Sequence, residues 1–151
     1  MRGVCAFDID NTLTCGENPC NVPKINYMIQ AIQECKSHDM KVVINTARPP
    51  QRDVLFGIHA DVQKLLNESD VYTMIPSSDT VPYHKLKVQQ QLSELHRVPL
   101  SNVVLIDDRL DTIDAVQSYS MPGIHVTPSN DSYGIDQRVL IQLQETLVKI
   151  T

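Results

Sequence analysis

The chain of 151 residues lacks the features that mark several large classes of protein. It has no apolar run near the roughly 18 residues that a membrane-spanning helix needs. The apolar start of the chain is interrupted at Asp8, which argues against a secretory signal peptide. There is no internal repeat or low-complexity linker, and a length of about 150 residues is typical of one domain. We therefore expect a single cytoplasmic domain, spanning 1–151, that does not contact a membrane.

Positive charge is also scarce, since 13 basic residues face 18 acidic ones for a net charge of −5. This balance argues against a general nucleic-acid coat protein and against a basic membrane-surface binder. It still allows a local basic patch that could meet nucleic acid, formed by Lys85, Lys87, His96 and Arg97.

The four cysteines form no CxxC pair, and no His-rich segment follows them, so we expect no zinc site. Cys5 and Cys35 lie in apolar patterns typical of a core. Cys15 and Cys20 flank a Gly-Glu-Asn-Pro turn and could pair. The expected reducing compartment favours free thiols at both positions, but the sequence leaves the pairing open.

Short apolar runs alternate with helical patterns along the chain. The runs are continuous, as in strands buried on both faces, and they cover 4–7, 42–44, 71–75, 103–106 and 124–126. Helically spaced apolar residues cover 25–35, 54–66, 88–95 and 139–150. This alternation predicts an α/β fold, a three-layer Rossmann-like sandwich with a five-stranded central parallel sheet and helices on both faces.

In such a sheet, functional residues gather at the carboxyl ends of the strands. Asp8 and Asp10 follow the first run, and in an extended segment their side chains would point into one crevice. Two carboxylates so close repel each other unless a cation or a shared proton intervenes.

Polar residues also follow the later runs. Thr46 stands after the second run, where its hydroxyl could reach a phosphate oxygen. Asp107 and Asp108 end the fourth run, and acidic oxygen ligands in this number indicate magnesium. Lys85 begins the third helical pattern and could neutralise the acids or a phosphate. Asp111 is better explained as an acid that favours a helix start.

These elements together resemble the motifs of the haloacid dehalogenase superfamily of aspartate-nucleophile phosphotransferases. Residues 8–12 (DIDNT) resemble its first motif, 45–48 (NTAR) its second, Lys85 its third and Asp107-Asp108 its fourth. The distance from Lys85 to Asp108 is similar to that of the small magnesium-dependent phosphatase branch. Asn11 stands where glycine is common in the family.

The resemblance implies a function and roles for the individual residues. It implies a magnesium-dependent phosphomonoester hydrolase, with Asp8 as the nucleophile that forms an aspartyl-phosphate and Asp10 as the general acid and base. Thr46 and Lys85 would bind the phosphoryl oxygens. The metal would be held by Asp8, the backbone carbonyl of Asp10, Asp107 and Asp108. Substrate orientation would fall to Asn11 and Arg48.

Substrate choice in this superfamily usually comes from an inserted cap. The segments between the motifs are too short for one, so we expect an open site with at most a small flap from 13–22. Its partner would be a phosphorylated compound, such as a macromolecule or a nucleotide. The alternatives are a nucleotidase or a nucleic-acid 3′-end phosphatase of the same superfamily, and a non-catalytic phosphate-binding or receiver-like signalling domain.

Overall fold

A computed structural model of the chain describes residues 1–129 and 132–150. The strands are β1 (Gly3–Phe7), β2 (Met40–Asn45), β3 (Val71–Tyr72), β4 (Val103–Asp107) and β5 (Gly123–His125). The helices are α1 (Val22–Ser37), α2 (Ala60–Gln63), α3 (Val81–His96), α4 (Leu110–Gln117) and α5 (Gln137–Val148). In the described ranges, no helix has the length and apolar character required to cross a bilayer.

The five strands form one parallel sheet in the order β3-β2-β1-β4-β5. This is the order of the first five strands of the Rossmann fold, so the predicted fold class is confirmed. The chain order reverses beside β1, which lies between β2 and β4. In open parallel sheets, the crevice at the carboxyl ends of such strands is where ligands bind.

The sheet separates two apolar cores because successive side chains of a strand point to opposite faces. Cys5 and Phe7 of β1 pack in the core that contains α1 and α5. Val4 and Ala6 pack in the core that contains α3 and α4. All of β1 is buried, as its continuous apolar sequence predicts. The helices therefore hold the central strand rigidly from both sides.

One predicted helix is wrong. The apolar pattern over 54–66 does not form a continuous helix, since α2 contains only four residues. Gly57 has φ +87°, a left-handed conformation that interrupts a right-handed helix. The His59 side chain then caps α2 by accepting a hydrogen bond from the backbone N–H of Asp61. The apolar spacing of this segment reflects the packing of a turn-rich loop.

Candidate functional site

Three carboxylates meet at the carboxyl ends of the two central strands. Asp8 directly follows β1, Asp107 is the last residue of β4, and Asp108 comes next. One oxygen from each lies within 4.8 Å of the others, close enough to share one cation. The backbone aligns them, because the Asp8 N–H donates a hydrogen bond to the Ile106 carbonyl at 2.9 Å. We call these three residues the carboxylate triad.

Lys85 joins the triad from the first turns of α3. Its ammonium group donates to Asp8 Oδ1 at 2.8 Å and to Asp107 Oδ2 at 2.6 Å. The side chains are almost fully enclosed, with exposed fractions of 1% for Lys85, 7% for Asp8 and 0% for Asp107. An ammonium group has three donors, so one N–H of Lys85 is left for a further acceptor.

Burial dominates the electrostatics of this cluster. It raises the pKa of Asp8 to about 8, and the charge of Asp107 adds to the rise against the opposing effect of Lys85. The pKa of Asp107 is raised for the same reason. Burial lowers the pKa of Lys85, but attraction to Asp8 and Asp107 outweighs this and the net shift is upward. Without a cation, the crevice therefore favours the protonated form of Asp8 at neutral pH.

The donor set fits a hard divalent cation. When all three carboxylates are ionised, they and the protonated lysine sum to −3 + 1 = −2, which one divalent ion would neutralise. Carboxylate oxygens are also the ligands that Mg²⁺ prefers in proteins. The triad, rather than Asp8 with Asp10, is thus the group of acids that could hold a cation.

Asp10 does not share the surroundings of Asp8, contrary to the expectation from residue spacing. Both of its carboxylate oxygens accept from Arg48, at 3.1 Å from Nε and 2.8 Å from Nη2. The side chain is 61% exposed. The rule that residues i and i+2 point the same way fails because β1 ends at Phe7 and the chain turns, with Asn11 at φ 60°.

Arg48 is buried and mostly occupied by contacts within the protein, so its role in orienting substrate stays a prediction. In addition to Asp10, its guanidinium donates to the carbonyls of Val54 at 2.8 Å and Phe56 at 2.7 Å. It also lies over the Phe56 ring at 3.8 Å from the centroid. Four of its five N–H groups are used. The contacts favour a role in holding Asp10 and the 54–56 segment together.

The remaining predicted residues lie around the triad. Thr46 is buried, and its hydroxyl oxygen accepts from the backbone N–H of Arg48 at 3.1 Å, which leaves the O–H hydrogen for another partner. Asn11 is half-buried and lines an open depression next to Asp10. Asp111 is outside the triad because it pairs with Arg109 at 2.8 Å. Its position in the first turn of α4 fits the expected helix-start role.

The expected compartment favoured free thiols at Cys15 and Cys20, but the two residues form a disulfide. Their Cα atoms are 5.2 Å apart across the turn, a separation typical of disulfides. The prediction followed the expected compartment, whereas the geometry of the turn decides the pairing. The other two thiols, Cys5 and Cys35, are buried in the core as predicted. Sequence reasoning also missed Tyr133, whose ring lies next to Gly16 of the disulfide loop, because no motif in the sequence marks this tyrosine.

No family model and no curated protein matches this chain in sequence. Solved structures do resemble it. An uncharacterized protein from Corynebacterium glutamicum is 13% identical, with a TM-score of 0.64 over 100% of this chain and 97% of that one. A hypothetical protein from Xanthomonas campestris is 17% identical, with a TM-score of 0.55 over 98% of this chain and 86% of that one. At these identities the likeness concerns the fold alone.

Proposed function

We propose that this chain is a Mg²⁺-dependent phosphomonoester hydrolase that works through an aspartyl-phosphate on Asp8. The observation that carries the proposal is the carboxylate triad with Lys85 at the carboxyl ends of β1 and β4. A purely structural ion pair needs one acid for one lysine. Here two buried acids contact one lysine, and an oxygen of a third acid, Asp108, lies within 4.8 Å of theirs, an arrangement that is costly without a bound cation.

Asp8 is the member of the triad suited to attack phosphorus. Its oxygens are held in place, because Oδ1 accepts from Lys85 at 2.8 Å and Oδ2 accepts from the Thr12 hydroxyl at 3.4 Å. In the first step an Asp8 oxygen forms a bond to phosphorus while the ester oxygen leaves. Magnesium held by the triad and the Asp10 carbonyl would offset the repulsion between Asp8 and the phosphoryl group.

Lys85 and Thr46 are suited to bind the transferring phosphoryl oxygens. Each has one hydrogen that protein groups in the described contacts do not use. Donors that are already fixed in a site with little water stabilise developing negative charge without reorganisation. Substrate would approach from the side of Asp10 and Asp108, which are the more exposed acids of the crevice.

Asp10 is suited to move the protons of the reaction. The leaving oxygen must gain a proton in the first step, and the water that releases phosphate must lose one in the second. The two-point contact with Arg48 is that of an ionised carboxylate, which supports the base role of Asp10 in the second step. The acid role requires a protonated Asp10, so one of the Arg48 contacts has to open when substrate binds.

A receiver-like signalling domain is less consistent with the topology. Receivers have the flavodoxin-like strand order, in which β1 lies between β2 and β3. In this chain β1 lies between β2 and β4. The basic patch that would favour a nucleic-acid 3′-end phosphatase is also weakened, because Lys85 is buried in the triad and Lys87 pairs with Asp79 at 2.7 Å.

Hydrolysis of para-nitrophenyl phosphate tests the proposal. We expect turnover with Mg²⁺, none after chelation with EDTA, and recovery when Mg²⁺ is restored. The variant Asp8→Asn should lose at least about a thousandfold in kcat, because it removes the nucleophile.

Asp111→Asn is the matched control. It removes a carboxylate close to the fourth motif but outside the triad, and turnover should stay near wild type. Turnover that survives both EDTA and Asp8→Asn would refute the proposed mechanism.

A further inference from the structure

An open depression of about 560 Å³ lies on the exposed side of Asp10. Its size falls within the range of small-molecule sites, roughly 300–1,000 Å³. The polar and aromatic side chains around it belong to Asp10, Asn11, Thr14, Glu17, Asn18 and Tyr133.

The walls of this depression are braced in the protein itself. The Cys15–Cys20 disulfide closes the loop that carries Glu17 and Asn18. The Tyr133 ring lies next to Gly16 of this loop, and the Lys24 ammonium donates to the Tyr133 carbonyl at 2.7 Å. Backbone hydrogen bonds also tie the segment after Tyr133 to the segment after Asp10, from the N–H of Gly134 to the Asn11 carbonyl at 3.2 Å and from that of Ile135 to the Thr12 carbonyl at 3.0 Å. A site braced in this way loses little entropy when a ligand binds.

The charge of the walls is one-sided. Asp10 and Glu17 carry carboxylates, and within the part of the chain that the structure describes no Lys, Arg or His side chain lines the depression. Arg48 lies behind Asp10 and offsets its charge. Glu17 is exposed and has no ion pair in residues 1–129 and 132–150. A ligand with a second anionic group would therefore be repelled.

The uncharged part of the lining suits hydroxyl groups. The side-chain amides of Asn11 and Asn18 both donate and accept, and carboxylates accept only. A hydroxyl group can satisfy each of them, since it donates and accepts as well. The half-exposed Tyr133 ring adds a flat apolar surface beside these polar groups.

We propose that this depression binds the leaving group of the substrate, and that the substrate is the phosphomonoester of a small polyhydroxy compound with a neutral or cationic remainder. The assignment rests on the proposed function, because it is Asp10 as the proton donor that places the leaving oxygen at this spot. Polyanions, such as nucleotide polyphosphates or nucleic-acid 3′ ends, are disfavoured by the charge of Glu17.

The assignment can be tested with three six-carbon phosphate esters. They differ in the charge on the part of the molecule that is remote from the phosphate. These are glucosamine 6-phosphate, glucose 6-phosphate and 6-phosphogluconate, assayed with the oxidised full chain and Mg²⁺. Unit charges about 8 Å apart in a wet site shift a binding constant severalfold. We expect kcat/KM to fall in that order, with roughly a tenfold ratio between the first and the last.

Glu17→Gln should reduce this ratio severalfold, because it removes the unpaired wall charge. Glu145→Gln is the matched control, an exposed acid near the end of α5 that should leave the ratio and the turnover of para-nitrophenyl phosphate unchanged.

The outcomes separate the two proposals. If wild type does not hydrolyse para-nitrophenyl phosphate, the proposed function fails. If it does, but none of the three sugar phosphates is hydrolysed, the substrate assignment fails alone. The substrate assignment also fails if kcat/KM for 6-phosphogluconate equals that for glucosamine 6-phosphate. It fails as well if Glu17→Gln changes the ratio of these two values no more than Glu145→Gln does.

Discussion

Replacing Lys85 by methionine removes the charge at the centre of the site while keeping most of the bulk of the side chain. Lys85 contacts Asp8 at 2.8 Å and Asp107 at 2.6 Å, and all three side chains are at most 7% exposed. Removal of one partner of a buried ion pair costs about 3–5 kcal/mol, because the remaining charge has no compensation. Typical domains have a free energy of unfolding of about 5–15 kcal/mol, so Lys85→Met should be severely destabilised at neutral pH.

The pKa of Asp8 determines how the stability of the protein changes with pH. Asp8 in the folded protein has a pKa of about 8, above its ordinary value of 3.8, so the folded state holds this proton more tightly than the unfolded chain. Stability of the metal-free protein should therefore fall as pH rises between these two values, by at most about 1.4 kcal/mol per pH unit. Without Lys85 the ionised acids lose their counter-charge, and the difference between variant and wild type should widen as pH rises.

Urea unfolding in EDTA at pH 5.5, 7 and 8.5 measures both effects. The double variant Lys85→Met/Asp107→Asn removes one of the orphaned acids and should recover part of the lost stability. A Lys85→Met protein within about 1 kcal/mol of wild type at every pH would contradict the buried charge balance on which the site rests.

Two further stability predictions concern features outside the triad. Cys20→Ser opens a disulfide whose cysteines are five positions apart and should cost about 2 kcal/mol, and wild type in dithiothreitol should unfold like the variant. If dithiothreitol destabilised Cys20→Ser further, the loss of stability on reduction would not come from the Cys15–Cys20 bond. Gly57→Ala should cost about 1 kcal/mol through its positive φ, since the added methyl group meets no atom closer than 3.6 Å. An unchanged urea midpoint for Gly57→Ala would mean that the 54–59 loop relaxes.

The sequence alone determined the layered architecture and the edge of the sheet at which the acids meet. Continuous apolar runs are typical of strands buried on both faces, so the runs at 4–7 and 103–106 were predicted to be strands of a covered parallel sheet. The acids that end them, Asp8 and Asp107, were then expected at the same edge, because parallel strands end at the same edge. The structure confirms the parallel sheet and adds that these two strands are neighbours.

Only the tertiary structure decided how the charged side chains pair. Spacing along the chain placed Asp10 beside Asp8, but the turn after Phe7 carries Asp10 to Arg48, which arrives from a distant segment. Local patterns describe periodic backbone, and they fail where the backbone turns, as they did at Gly57. Ion pairing depends on which segments the fold brings within a few ångströms, and that distance is set by the packing of the whole chain.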